Sequence, residues 1–208
     1  TGPITGESIG SVRGAIHEFM LPKLKGKEIA NLEDTLNTLD SSMVKNTSAK
    51  AAVEMAIYDL FGKKYQIPLY RLLGGYRNQV ETDLTISVNS PEEMARDSRI
   101  AIDRGFRILK LKVGLNPALD IERIMAVKEA CGPMTVLRLD ANQGWSARDA
   151  VKIMHEIESE ISGIELLEQP VLAHDLEGLR MVKESIETPV LADEAVFSAI
   201  DAEKIISM

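Results

Sequence analysis

Five side chains at the ends of β-rich runs carry most of the chemistry this sequence offers: Lys110, Lys112, Asp140, Glu168 and Asp193. In Arg107-Ile108-Leu109-Lys110-Leu111-Lys112-Val113, residues two apart share a strand face, so the leucines lie on one side and the lysines on the other. Val136-Leu137-Arg138-Leu139-Asp140, Ile164-Glu165-Leu166-Leu167-Glu168 and Val190-Leu191-Ala192-Asp193 each end in a carboxylate. The steps from Lys112 to Asp140, to Glu168 and to Asp193 are 28, 28 and 25 residues, one strand–helix unit apiece. Three carboxylates converging on one mouth repel one another unless a cation stands among them. An oxygen-only donor set selects Mg²⁺, with Mn²⁺ as a substitute. A plainer reading stays open: strand-end acids also cap the following helix, and Asp140 and Glu168 could pair with the two lysines as ordinary salt bridges.

Neighbouring residues complete the picture. In Asp83-Leu84-Thr85-Ile86-Ser87-Val88 the aspartate, threonine and serine form a polar face opposite three apolar side chains. A barrel interior that served only as core would be filled with Val, Ile and Leu. Arg138 faces inward one layer below Asp140, as expected of a buried structural ion pair. Glu194 has the parity opposite to Asp193 and reads as a supporting or solvated residue. His17, His155 and His174 lack a second histidine at ligand spacing and read as surface or packing residues.

These strand ends need elements to position them. Beyond Gly75, β-rich runs at about 82–88, 107–113, 135–140, 163–168 and 189–193 alternate with helix-period stretches at about 91–104, 117–130, 147–160, 175–185 and 199–207. Ser90-Pro91-Glu92-Glu93 combines an N-cap serine, a first-turn proline and a glutamate three residues after the cap. Asn116-Pro117 repeats the device, and Ser146 with Asp149 forms a weaker box. The alternation predicts βα units round a parallel sheet. Residues 81–208 allow about 25 residues for each of five units, whereas a closed eight-unit barrel takes around 250. Period alone leaves open an incomplete barrel or a doubly wound sheet.

Residues 1–80 read as helical, without a convincing strand. Helices are predicted at about Glu7–Met20, stopped by Pro22, at about Asn31–Leu39, and at Ser48–Phe61, ended by Gly62 and Lys63-Lys64. Ala52, Val53, Ala56, Ile57 and Leu60 would form the buried face of the third. Pro68 to Gly75 predicts a short helical turn.

Composition bounds the function. With 45% apolar and 27% charged residues the chain is neither disordered nor a disulfide scaffold. A net charge of −8 without a basic cluster argues against nucleic acid as a partner. No apolar run approaches a membrane span, and the first residues lack the features of a signal peptide. The lone Cys131, at the end of a predicted helix, fits an inert thiol in a reducing compartment, and we expect a cytoplasmic protein.

Taken together, Lys110-Leu-Lys112, Asp140-Ala-Asn-Gln-Gly-Trp145, Glu168-Gln-Pro170 and Ala192-Asp193-Glu194 resemble the enolase superfamily in its muconate-lactonising subgroup, in order as well as spacing. Ile4-Thr5-Gly6-Glu7-Ser8, Lys50-Ala-Ala-Val-Glu-Met55, Leu72-Leu-Gly-Gly-Tyr76 and Ser87-Val-Asn-Ser-Pro-Glu-Glu93 make the chain similar to the dipeptide epimerases of L-Ala-D/L-Glu type within it. The resemblance implies an α/β fold: a partial (β/α) TIM-type barrel of about five of eight units (81–208), preceded by the helical part of an α+β capping domain (1–80). It implies one Mg²⁺ held by Asp140, Glu168 and Asp193, with Lys112 as the base that takes an α-proton. Lys110 would lie near the substrate carboxylate and lower the pKa of Lys112, and Thr85 would touch the substrate.

The implied reaction is epimerisation of a small dipeptide from peptidoglycan turnover, by 1,1-proton transfer through a metal-stabilised ene-diolate, in a homo-oligomer. It needs a second lysine on the sixth strand, and the sequence ends at Ile205-Ile206-Ser207-Met208, in the helix before that strand. The chain therefore reads as a piece of a longer enzyme and, by itself, as inactive. Competing readings are o-succinylbenzoate synthesis, N-acylamino-acid racemisation or cycloisomerisation on the same lysines and metal, a Schiff-base aldolase using Lys112, and a non-catalytic half-barrel.

Overall fold

The computed structural model describes residues 2–208, and the chain divides into two compact units, Thr1–Val80 and Glu81–Met208. None of its helices is long and apolar enough to cross a membrane among the described residues.

Every regular element among the described residues of the first unit is a helix. It comprises α1 (Gly2–Thr5), α2 (Ile9–Gly14), a π-helical stretch (Ala15–Met20), α3 (Leu21–Leu24), α4 (Leu32–Asp40), α5 (Thr47–Tyr65) and α6 (Leu69–Leu72). Pro22 does not end the second helix, as its position suggested. The chain widens into the π-turn and Pro22 falls in the first turn of α3, where its missing N–H is not needed. α5 also outruns its expected end: it passes Gly62 and closes at Gln66, in the left-handed conformation.

The buried stripe of α5 is Ala49, Val53 and Ile57, packed with Ala15, Met20 and Leu39, while Ala52, Ala56 and Leu60 are exposed. α5 is apolar on more than one face, so periodicity alone did not single out the side that packs. Asn46, at its start, makes no side-chain cap. Glu7 supplies the acceptor instead, its Oε2 taking the Ser48 N–H at 3.0 Å, an anion placed at the positive end of a helix.

The second unit is five βα repeats: β1 (Leu84–Ile86), α7 (Pro91–Asp103), β2 (Ile108–Lys112), α8 (Pro117–Cys131), β3 (Val136–Asp140), α9 (Ala147–Glu160), β4 (Ile164–Glu168), α10 (Leu176–Ser185), β5 (Val190–Leu191) and α11 (Ala199–Ile206). All pairings are parallel and the strand order is β1-β2-β3-β4-β5. A doubly wound sheet reverses its strand order at a switch point. The unbroken succession here is that of a barrel wall, and the unit is a partial (β/α) barrel.

The expected caps form. Ser90, Asn116 and Ser146 each accept the backbone N–H three residues on. β1 and β5 are shorter than the runs that predicted them.

Leu109, Leu111, Leu137, Leu139 and Leu167 are fully buried in one core with Ile124 and Val127 of α8 and Ile153, Met154 and Ile157 of α9. Leu139→Ala is expected to lower the unfolding free energy by about 2–5 kcal/mol. The check is a lower urea midpoint at unchanged slope, followed by Trp145, the chain's one tryptophan.

One irregularity in the sheet sets the height of its acidic side chains. Between the pairs Leu137↔Ile164 and Arg138↔Leu166, β4 advances two residues while β3 advances one. This bulge at Glu165 brings Glu168 level with Asp140; without it, strict alternation would set Asp140 against Leu167.

Candidate active site

The register places the charged side chains. Lys112 on β2 is level with Asp140 on β3, and Asp140 with Glu168 on β4. The Asp140 side chain is wholly buried. Its Oδ2 accepts a hydrogen bond from Lys112 Nζ at 2.5 Å and lies 2.9 Å from Lys110 Nζ. Its Oδ1 accepts from the Asn142 N–H at 3.0 Å. Lys110 Nζ also lies 2.8 Å and 2.7 Å from the two Glu168 carboxylate oxygens. Lys112, Asp140, Lys110 and Glu168 thus form one continuous charge-paired row at the C-terminal ends of three adjacent strands, the position where barrel enzymes keep their chemistry.

The row is electrostatically uneven. Burial pushes the Asp140 carboxyl up, but hydrogen bonds from Lys112, Lys110 and the Asn142 N–H outweigh it and hold the group below the ordinary range. Burial also dominates at Glu168, where the charges of Asp140 and Asp193 add to it, so this carboxyl is raised despite its bond to Lys110. For Lys110, burial favours the neutral amine, yet Glu168 and Asp140 carry it above the usual lysine value.

Asp193 lies two residues past β5 and is exposed. It is fixed through its backbone: its N–H donates to Gln169 Oε1 at 2.9 Å. Thr85 is exposed on β1, level with Lys110.

Arg138 differs from expectation, and of the two roles open to Glu194 the structure favours the supporting one. Arg138 is not a buried pair: it keeps 29% of its side-chain surface and bridges Asp83 at 2.9 Å and Glu165. Its long side chain carries the guanidinium to the open side of the sheet while its stem stays covered. Glu194 is buried rather than solvated, with 6% exposure. Its Oε1 accepts from Asn142 Nδ2 at 3.1 Å, and Oε2 has no hydrogen-bond partner. His17, His155 and His174 are all exposed. Cys131 is half-buried at the end of α8, and burial raises its thiol pKa.

Two residues that sequence reasoning passed over support this row. Asn142, with φ +42°, accepts from Lys112 Nζ at 2.7 Å and so links Lys112 to Glu194. Gln169, fully buried at φ +36°, takes the N–H groups of both Asp193 and Ala195 on its Oε1 and gives its own amide to the Val171 carbonyl. Both lie within the acidic strand-end motifs; the available signal was an amide side chain one residue (Gln169) or two residues (Asn142) after a strand-end acid.

The donor set suits a hard divalent cation. Asp140, Glu168 and Asp193 offer only carboxylate oxygens, Glu168 feels the charge of both others, and Glu194 holds an unpaired buried oxygen close by in sequence. Among the described residues no three His, Cys, Asp or Glu side chains form a ligating cluster. The Lys110 ammonium lies between Asp140 and Glu168, so the salt bridges considered from sequence are present.

Comparison with known proteins follows the same division. Residues 1–74 match the N-terminal domain described as mandelate racemase / muconate lactonizing enzyme, and residues 93–208 match the enolase C-terminal domain-like family. An L-Ala-D/L-Glu epimerase of Clostridium acetobutylicum is 51% identical over 208 residues, covering 100% of this chain and 58% of that protein.

Two solved structures are also similar. The substrate-liganded L-Ala-D/L-Glu epimerase of Bacillus subtilis superposes with a TM-score of 0.96 at 46% identity, covering 100% of this chain and 58% of that one. The dipeptide epimerase of Enterococcus faecalis, complexed with Mg and the dipeptide L-Leu-L-Tyr, gives 0.94 at 40% identity with the same coverage. The chain therefore spans somewhat under three-fifths of the length of these relatives. With both family matches in chain order and five consecutive parallel strands between helices, the chain belongs to the mandelate racemase / muconate lactonizing enzyme family of the enolase superfamily.

Proposed function

We propose that these residues belong to a Mg²⁺-dependent isomerase that epimerises dipeptides of the L-Ala-D/L-Glu type, by moving a proton on and off the carbon next to a carboxylate. The observation that carries the reading is the row Lys112–Asp140–Lys110–Glu168, two amines and two acids held at strand ends by register. The relatives named as epimerases support the same choice.

In this reading Lys112, once neutral, is the base that takes the α-proton. It is held at its Nζ by Asp140 and by the Asn142 amide oxygen, so the amine has a fixed starting direction. Lys110 presents its ammonium to the substrate carboxylate and offsets charge as the ene-diolate develops. Thr85 contacts the substrate from β1. Asp140, Glu168 and Asp193 would hold the Mg²⁺, or Mn²⁺ in its place, which when bound supplies fixed positive charge beside the substrate carboxylate. Glu194 supports the arrangement through Asn142.

We place the enzyme in the cytoplasm, as a homo-oligomer acting on small dipeptides of the kind released from peptidoglycan. The single Cys131, without a partner for a disulfide in this sequence, fits the reducing compartment of that placement, and the epimerase names of the relatives fit the dipeptide substrate.

The test is isotope exchange. In D₂O with Mg²⁺, the intact protein is expected to wash out the glutamyl α-proton of L-Ala-L-Glu and to generate the L,D epimer, followed by proton NMR and chiral chromatography. A chelator should abolish both, and readdition of Mg²⁺ should restore them. Exchange confined to N-acylated single amino acids, or activity indifferent to chelation, would overturn the reading.

A further inference from the structure

Asp120 sits on α8, away from the charge-paired row, and its side chain has no solvent exposure. Four donors converge on it. Oδ1 accepts from Arg123 at 2.8 Å, and Oδ2 accepts from the Gly114 N–H at 2.9 Å, the Asn116 N–H at 3.3 Å and the indole N–H of Trp145 at 3.0 Å. Arg123, also buried, donates from Nε to the Asn89 carbonyl at 2.6 Å. Asn89 belongs to the segment after β1, Gly114 to that after β2 and Trp145 to that after β3. One buried ion pair thus holds three consecutive loops at the C-terminal ends of the strands.

Those loops also touch directly: a Cβ on Gly144 would stand 2.1 Å from the Gly114 carbonyl oxygen. A buried ion pair is weak as a source of stability, since apolar residues of similar volume often do as well. What apolar residues cannot do is hold polar groups of separate loops, here the Asn89 carbonyl, the Gly114 and Asn116 N–H groups and the Trp145 indole N–H, to one charge pair.

The loop that Trp145 ends begins at Asp140 and includes Asn142, which contacts Lys112. Its two ends are therefore pinned, one by β3 and the other by Asp120. We propose that Asp120, with Arg123, is a positioning residue for proton transfer: through Trp145 it sets the loop that aims Asn142 at Lys112. The kinetic part of this proposal rests on the epimerase reading; the spectroscopic part does not.

Asp120→Asn in the intact protein tests both. Asparagine keeps the shape but removes the charge and one acceptor oxygen. The expected result is retained cooperative unfolding, a red-shifted Trp145 emission and an acrylamide quenching constant raised about twofold or more as the loop loosens. The same variant should lose about tenfold or more in kcat for α-proton exchange with KM within about threefold, the pattern of a misplaced catalytic group. Trp145→Phe keeps an aromatic ring at this buried position, gives up part of its packing and removes the N–H donor. It should show the same split, a lower kcat with little change in KM, and it keeps the test decisive if the asparagine variant folds poorly.

Turnover within about twofold of the parent in both variants, or a loss explained entirely by the unfolded fraction, would overturn the proposal. If the parent protein exchanges no α-proton, the epimerase reading fails. The quenching comparison then still decides the structural part, and unchanged quenching would refute it.

Discussion

Lys112→Ala is expected to cut the rate of α-proton exchange by about three orders of magnitude, within the range of about 10²–10⁴ contributed by a positioned base. The reason is geometric. Lys112 stands at the end of β2 with Nζ held from two sides, by Asp140 at 2.5 Å and by Asn142 at 2.7 Å. Truncation leaves the Asp140 carboxylate with Lys110 and the Asn142 N–H, so the buried charge stays paired and the fold should survive. The loss should then fall on kcat, with KM changed several-fold at most and thermal unfolding near that of the parent. NMR exchange in D₂O reads the rate directly. Exchange that persists unchanged in Lys112→Ala would assign the base elsewhere.

Gly114→Ala should be the most damaging single methyl group in the second unit. Gly114 has φ +99°, which side-chain-bearing residues rarely adopt, and an added Cβ would stand 2.1 Å from the Ala141 carbonyl oxygen. Backbone strain of about 1–3 kcal/mol and overpacking of similar size give an expected destabilisation of about 2–4 kcal/mol, since part of each relaxes when the loops separate. Urea unfolding followed by Trp145 fluorescence measures it. Separation of the loops also draws Ala141 away from Gly114, so activity per folded molecule should fall as well. An unchanged midpoint would mean that the two loops part at no cost and are not held as described.

Much of the second unit was legible before the structure. The strand positions followed from alternation, as in Leu109/Leu111 against Lys110/Lys112, and the helix starts followed from local cap chemistry at Ser90, Asn116 and Ser146. Both signals are short-range, which is why they survive in sequence alone. The bulge at Glu165 and the burial of Glu194 were not legible, because each depends on where a neighbouring strand or loop stands. Asp120 did leave a trace: with Arg123, Ile124 and Val127 it occupies the inward stripe of α8, where a charged pair among apolar residues marks a buried network. Pro22 and α5 misled for the opposite reason. A π-turn and a helix apolar on several faces weaken the local rules that normally end a helix and choose its buried side.

The unbroken strand order has a consequence for synthesis. Because every strand after β1 hydrogen-bonds to the one made immediately before it, these five strands can be assembled as the nascent polypeptide leaves the ribosome. Each pairing waits only for the next βα unit, 23–28 residues further along the chain, and not for a strand several units away. At each stage the outer edge of β1 and the newest edge are unpaired, and the helix that follows each strand is translated in time to shield one side of it.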